Sequence, residues 1–292
     1  MSRKQDFWID SNEISQKISW SFSKFNESFF PFHFYECKIE GFDQVAFGYS
    51  VSKIEINALQ KSFAESWERL FLARLNEREQ RFANIFSSNG FAAGSDNAMA
   101  IKKSKEELIE RAVLLAAWSQ QKGWASIGPR NLKNRMLILG MFLRGWRTYL
   151  YNINSNAGVV KACFICHKSL GVIFDCAFDN RDSEEKVLLS VAKNSFFQKA
   201  QSNANLPEIG VPEDHRSFYA DPKNTDAFQF LKQGDYSSDP VEITNPEQIQ
   251  SELLVKAGKF PAVAYSSHKD WVQLMWGKQS IQGKNKWPHP LA

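Results

Sequence analysis

The sequence predicts an α+β fold in which mixed and antiparallel sheets pack against long helices. Three observations predict it. Two long stretches in the first half carry apolar residues at helical spacing. Two β-rich runs near the middle are separated by a short polar piece, as in a hairpin. Helices and strands mix without the strict alternation of a doubly wound sheet. The chain of 292 residues is long enough to bury a substantial core, and residues 1–292 read as a single domain.

Composition narrows the function classes. An apolar fraction of 43% with 23% charged residues is that of an ordinary globular protein. The net charge of +4 is small, and the basic residues are scattered. Lys102, Lys103 and Lys105 read as a solvated helix face, so no nucleic-acid footprint is expected. No membrane span is expected either, because the most apolar run, residues 136–143, stops at Arg144. The first residues lack the apolar segment of a secretory signal, and four cysteines are too few for a disulfide framework. Reduced thiols and a cytoplasmic address are the expectation.

The elements follow in order. Residues 7–47 are rich in Phe and read as short β pieces broken by polar stretches. Residues 48–53 read as a turn. A helix is predicted over 56–75, with Leu59, Phe63, Trp67 and Leu70 as its apolar stripe. Residues 86–95 read as a loop of small residues. A second helix over 98–118 has its stripe at Ile101, Leu108, Ala112 and Leu115. Residues 123–131 form a Gly-Pro loop, and 135–151 read as a helix or as a strand giving way to one. The hairpin takes 159–166 and 171–178, and a third helix takes 183–200. Residues 202–250, rich in Pro, Asp, Asn and Ser, read as an irregular connection with one short helix near 227–231. Strands return at 262–266 and 271–276, before a Trp-Pro-His-Pro-Leu-Ala tail.

Two constellations carry possible chemistry. Glu65 and Glu68 are three residues apart on the first helix, hence about 60° apart around its axis. Glu107 and Glu110 repeat this on the second. Arg69 and Arg111 directly follow the two pairs. All four carboxylates lie roughly opposite the apolar stripes, which is where any solvent-facing helix carries glutamates. If the helices pack face to face, the same four carboxylates would bind Mg²⁺, which prefers carboxylate oxygens and substrate phosphates. Spacing alone leaves both readings open. The segment Ser87-Ser88-Asn89-Gly90-Phe91-Ala92-Ala93-Gly94 is nearly free of bulk and opens into the second helix. It is either a tight turn or a loop whose N–H groups approach a phosphate. Neither Gly-x-x-x-x-Gly-Lys nor Gly-x-Gly-x-x-Gly occurs.

Ser88-Asn-Gly-Phe-Ala-Ala-Gly94 followed at a fixed distance by Glu107-x-x-Glu110-Arg111 resembles the signature of YcaO proteins. Ala64-Glu65-Ser-Trp-Glu68-Arg69 is similar to that family's preceding helix, and Pro288-His289-Pro290 to its proline-rich tail. The resemblance covers most of residues 48–198 and the last few, and leaves residues 1–47 as a divergent part. It implies a YcaO-like fold binding ATP through Mg²⁺ held by Glu65, Glu68, Glu107 and Glu110. Arg69 and Arg111 would support the phosphates, and Ser88, Asn89 and Gln198 would contact nucleotide. The carboxylate of Ala292 would lie near the active site. The implied reaction belongs to ribosomally made natural products. A Cys, Ser or Thr side chain, or a sulfide, adds to a backbone amide of a peptide. ATP phosphorylates the resulting oxyanion, and phosphate loss leaves an azoline or thioamide. The implied partners are a peptide substrate and either a second copy or other modification proteins.

Departures from the pattern imply an alternative. Met99 stands where the family carries an acidic residue. On the third helix the pattern Arg-x-x-x-Glu-x-x-Gln keeps only Gln198, with Val191 and Ser195 at the charged positions. These losses favour a degenerate, non-catalytic subunit that binds a partner or presents the peptide. Cys163-Phe-Ile-Cys166-His167 matches a haem-attachment string, but on a strand residues three apart face opposite ways. Buried structural cysteines and no haem are therefore expected, and His289, between prolines, reads as a tail-packing residue.

Overall fold

The computed structural model describes residues 4–11, 14–25, 32–78, 89–202, 205–258, 260–271 and 274–291. In chain order the elements are β1 (Lys4–Ser11), β2 (Ile14–Phe25), β3 (His33–Gly41), β4 (Gln44–Ser52), α1 (Glu55–Arg78), β5 (Phe91–Gly94), α2 (Asn97–Gln120) and β6 (Trp124–Ser126). They continue with α3 (Leu132–Leu143), β7 (Arg147–Ser155), β8 (Gly158–His167), β9 (Gly171–Phe178), α4 (Ser183–Phe197), α5 (Pro212–Tyr219), α6 (Gln229–Gln233), β10 (Gln250–Val255) and β11 (Ala262–Ser267). Helices and antiparallel ladders give the α+β architecture expected. The chain divides into two compact units, Met1–Glu107 with Ile249–Ser267, and Leu108–Gln248 with His268–Ala292.

In the first unit β1-β2-β3-β4 form an antiparallel sheet, and β10-β11-β5 form a second one. The helix α1 lies on β3 and β4. Its 24 residues contain neither Gly nor Pro, and they bury Trp67 and Leu70 with Ile18, Cys37, Ile39 and Ala46 of the sheet. Trp67 also stacks on Phe260 at 4.7 Å and donates its indole N–H to the Pro261 carbonyl at 3.1 Å. Two serines are buried on the same helix. The Ser66 hydroxyl donates 2.7 Å to the Cys37 carbonyl, so its polar atom is satisfied by the strand it faces.

Residues 48–53 are not a turn, because β4 runs through to Ser52. Gly48 marks contact with the helix. A Cβ there would overlap the Ser62 carbonyl oxygen and the Ser66 nitrogen. The small-residue segment also differs from expectation. Phe91–Gly94 is a buried strand paired with β11, and Gly94 lets it meet the first turn of α2, where a Cβ would overlap the Ala100 nitrogen. The Asp96 carboxylate then accepts the Met99 N–H at 2.8 Å and caps α2. Residues 86–88 of the expected loop lie outside the described residues.

In the second unit β6-β7-β8-β9 form one antiparallel sheet. Val160, Ala162 and Phe164 of β8 join a core with Trp118, Trp124, Tyr151, Phe228 and Leu291. The expected hairpin is present, with Cys163 opposite Asp175 and Cys166 opposite Val172. Cys163 and Cys166 alternate across β8, and all four cysteines are free. Residues 135–151 are a helix followed by a strand: the helix expected covers the first part, and the order is the reverse of the strand-then-helix alternative. Asn131 starts α3 by accepting the Asn134 N–H at 2.8 Å, and after Gly145 the run Trp146-Arg-Thr-Tyr-Leu-Tyr-Asn-Ile153 is denser in β-branched and aromatic residues than α3. Residues 202–250 hold more helix than expected, namely α5, a 3₁₀ turn at Pro222–Phe228, and α6. Described residues within 271–276 form no strand.

The tail is packed into this unit. Trp118 donates to the Trp287 carbonyl at 3.2 Å, and the Tyr219 hydroxyl donates to the Pro288 carbonyl at 2.5 Å. His215 accepts the Gly277 N–H on Nε2, which leaves Nδ1–H to donate to the His289 carbonyl. The His289 ring donates from Nε2 to the Met275 carbonyl at 2.7 Å. Burial pushes its pKa down to about 3, so it is neutral. No described helix is long and apolar enough to cross a membrane.

Candidate functional site

Glu65, Glu68 and Glu107 belong to the first unit. Glu65 accepts the Tyr49 N–H at 2.9 Å on one oxygen and pairs with Arg69 at 2.6 Å on the other. Arg69 also donates to the Phe47 carbonyl at 2.9 Å. Glu68 accepts the Ala93 N–H of β5 at 3.1 Å. The strands flanking α1 therefore fix two of the predicted carboxylates through main-chain donors. These side chains are half-buried, so of the two readings that spacing left open the plain solvated face does not describe them. The cause is that α1 is flanked by sheet on more than one side.

Burial holds the Glu68 carboxyl well above the usual carboxylate range, and the charges of Glu107 and then Glu65 push it further. The Ala93 N–H and Arg69 oppose these effects more weakly. Glu107 and Glu65 thus both lie close enough for their charges to act on Glu68. As the side chains stand, no three His, Cys, Asp or Glu residues among those described form a ready metal-ligating group. Lys103 of α2 is exposed but reaches the Ala93 carbonyl of β5 at 3.2 Å. Met99 is exposed in the first turn of α2. Asn89 sits in the turn entering β5, beside Gly90 at φ 77°. Ser88 lies outside the described residues.

Glu110 belongs to the second unit and is 4% exposed, far from the solvated position its spacing allowed. It accepts the Phe178 N–H at 2.9 Å on one oxygen. Its other oxygen receives the Cys176 thiol at 3.6 Å and lies 3.3 Å from Arg111. Arg111 points at the Cys176 sulfur, at 3.8 Å. Cys176 was not anticipated as a neighbour of the glutamate. No sequence signal marks it, since the contact joins residues 66 apart. Gln198 caps the end of α4 and donates to the Leu170 carbonyl at 3.1 Å. Val191 is fully buried, and Ser195 turns its hydroxyl back to the Ala192 carbonyl at 2.6 Å. Ala292 lies outside the described residues.

At the level of sequence no family profile and no curated protein matches the chain. Solved structures do. YcaO from Methanopyrus kandleri, bound with AMPPCP and Mg²⁺, aligns with a TM-score of 0.55 over 84% of each chain at 12% identity. A chain of the E. coli microcin synthetase McbBCD complex with pro-MccB17 bound aligns with a TM-score of 0.60. That match covers 90% of this chain and 89% of the other at 11% identity. The chain has the YcaO fold. The McbBCD complex in a second structure gives 0.57 over the same shares at 10% identity. In this YcaO fold α1, β5 and α2 carry the glutamate pairs and the small-residue segment first read from the sequence.

Proposed function

We propose that this YcaO-fold chain acts in a peptide-modifying machinery, where it binds Mg²⁺ and ATP and activates a backbone amide toward an azoline or thioamide. The observation that carries the reading is Glu68. Its half-buried carboxyl lies under the charge of Glu107 and Glu65, and a divalent cation would relieve that repulsion. The donor chemistry suits Mg²⁺, being all carboxylate oxygen, but the three side chains would have to rearrange to gather around the ion. Glu65, Glu68 and Glu107 would hold the ion, with Arg69 leaving Glu65 for a phosphate oxygen. Of the remaining residues, Glu110 is proposed as a further acid for the ion, and Arg111, Asn89, Ser88 and Gln198 are each proposed as nucleotide contacts. When bound, ATP supplies the phosphoryl group that makes the amide oxygen a leaving group. The chain's own residues position and neutralise charge, which is where phosphoryl transfer gains most of its rate. The Tyr49 and Ala93 N–H groups hold Glu65 and Glu68 in fixed orientations, as outer-shell donors do at metal sites. The peptide and a second modification protein are the proposed partners, and the cytoplasm the proposed address.

Calorimetric titration with ATP tests the reading. Binding that requires Mg²⁺ is expected, and no heat at any Mg²⁺ concentration would remove the nucleotide from the proposal. A second reading, a non-catalytic subunit, is favoured by one observation. Val191 and Ser195 are built into the core and offer no charge, and Met99 offers none at α2. On that reading the chain copurifies with its modification partners and presents the peptide. A chain that purifies alone from cells expressing all of its neighbours in the machinery would end it.

A further inference from the structure

The helix α3 is apolar on two opposite sides. Asn134, Leu137, Gly140 and Met141 are buried against the second unit. On the other side Leu132 is 73% exposed, Met136 58%, Leu139 46% and Leu143 69%. At about 100° per residue these four fall within roughly 60° of one another, a narrow stripe along the helix. Charged residues flank the stripe and do not interrupt it. Arg135 lies about 70° to one side of its centre and Lys133 about 90° to the other. The helix α4 runs beside α3 in the same direction. Lys133 pairs with Glu185 at 2.9 Å at one end, and Arg144 stacks over the Phe196 ring at 3.8 Å at the other. Phe142 and Phe197, both exposed, adjoin that second end. None of these residues takes part in the carboxylate site.

We propose that α3 is an interfacial helix, which lays this stripe into the headgroup region of an anionic phospholipid bilayer. Its 12 residues span about 18 Å, too short to cross a bilayer and suited to lying in its plane. Charge decides the occupant. Residues 111–174, on both sides of α3, hold nine Lys or Arg and no Asp or Glu. Of these, Arg135, Arg147 and Lys168 are exposed. Lys168 belongs to the C-terminal end of the helix, because it follows His167, whose ring packs on Trp146 at 5.1 Å. The acids that α4 brings to α3, Glu184 and Glu185, are engaged by Arg130 and Lys133. Long cationic side chains beside an apolar stripe reach the phosphate level while the stripe sits deeper. A nucleic acid would use the cations but leave the stripe in water. An apolar groove on a protein would cover the stripe but leave the cations unanswered.

Flotation of the full chain with phospholipid vesicles tests this. Vesicles of phosphatidylcholine with about 30% phosphatidylglycerol should carry the wild type up the gradient. Vesicles of phosphatidylcholine alone should carry at least about 10-fold less, since each cation contributes roughly 5-fold at an anionic surface. Leu139→Glu should lower the partition coefficient by at least about 10-fold. Its circular dichroism should be unchanged, because the side chain faces outward. The double variant Leu132→Ala/Leu143→Ala keeps helix propensity and should act in the same direction, which covers any folding defect of the glutamate. Arg135→Gln/Arg147→Gln should weaken binding to the anionic vesicles by roughly 25-fold. A wild type that stays at the bottom of the gradient with anionic vesicles overturns the proposal. So does flotation that survives the apolar variants or the charge variant. Equal flotation with neutral vesicles overturns it as well, and so does a stripe that binds only a polypeptide or a nucleic acid.

Discussion

Replacing Glu68 with Gln separates a cation site from a merely crowded set of carboxylates. Glutamine keeps an oxygen to accept the Ala93 N–H and removes the charge that Glu107 and Glu65 oppose. The sign without ligand follows from the raised pKa. A carboxyl whose folded pKa lies above its unfolded value favours folding at low pH. That contribution is lost as pH rises through the folded value, at about 1.4 kcal/mol per unit of difference. At pH 8 without divalent ions, Glu68→Gln should therefore match or exceed the wild type in Tm, and the advantage should shrink toward pH 4. With Mg²⁺ and a non-hydrolysable ATP analogue at about 100 times Kd, the wild type should gain about 2.7 kcal/mol. For a chain of this size that is a rise of roughly 5–10 °C. The variant should gain almost nothing, because its site lacks the central oxygen anion. Scanning fluorimetry with and without EDTA reads both effects. An equal ligand-induced rise in wild type and variant would refute the assignment of Glu68. A wild type that is more stable than the variant at pH 8 without metal would refute the electrostatic account.

Three further outcomes follow from the structure. Gly48→Ala should cost about 1–3 kcal/mol in urea unfolding, because the new methyl meets the backbone of α1 rather than a movable side chain. Met99→Glu places a carboxylate in the first turn of α2 and should stabilise the chain by about 0.5 kcal/mol through the helix dipole, with a larger Mg²⁺-dependent rise in Tm. His289→Gln should flatten the loss of stability on acidification. The native histidine has its pKa pushed down to about 3, against about 6.5 in the unfolded chain. The unfolded state therefore binds the extra proton, and stability is lost as pH falls below 6.5, by up to about 4–5 kcal/mol. Unchanged acid unfolding in the variant would show that other groups carry that slope.

The long helices and the hairpin were legible because their residues repeat at the period of the element that buries them. Gly48 was misread because a glycine has the same appearance at a turn and at a contact where a helix backbone meets a strand. The strand Phe91–Gly94 was hidden for a related reason. Four small or buried residues give no alternation to read, and their partner β11 lies about 170 residues away. Spacing left Glu110 open between a solvated face and a metal ligand, and its burial was not legible because the Phe178 N–H that satisfies it is a donor that no spacing rule predicts. The glutamate pairs themselves were legible. Their grouping into Glu65, Glu68 and Glu107 in one unit and Glu110 in the other was not, because it follows from tertiary packing.

Three of the signature glutamates lean on main-chain donors, the amides of Tyr49, Ala93 and Phe178. An amide is indifferent to the side chain it carries, and only proline lacks it. Those three positions can therefore exchange residues over long evolutionary times without loosening the acids they hold. The acids themselves have no such freedom. A proline at position 49, 93 or 178 would remove the donor and leave the acid it holds short of that partner.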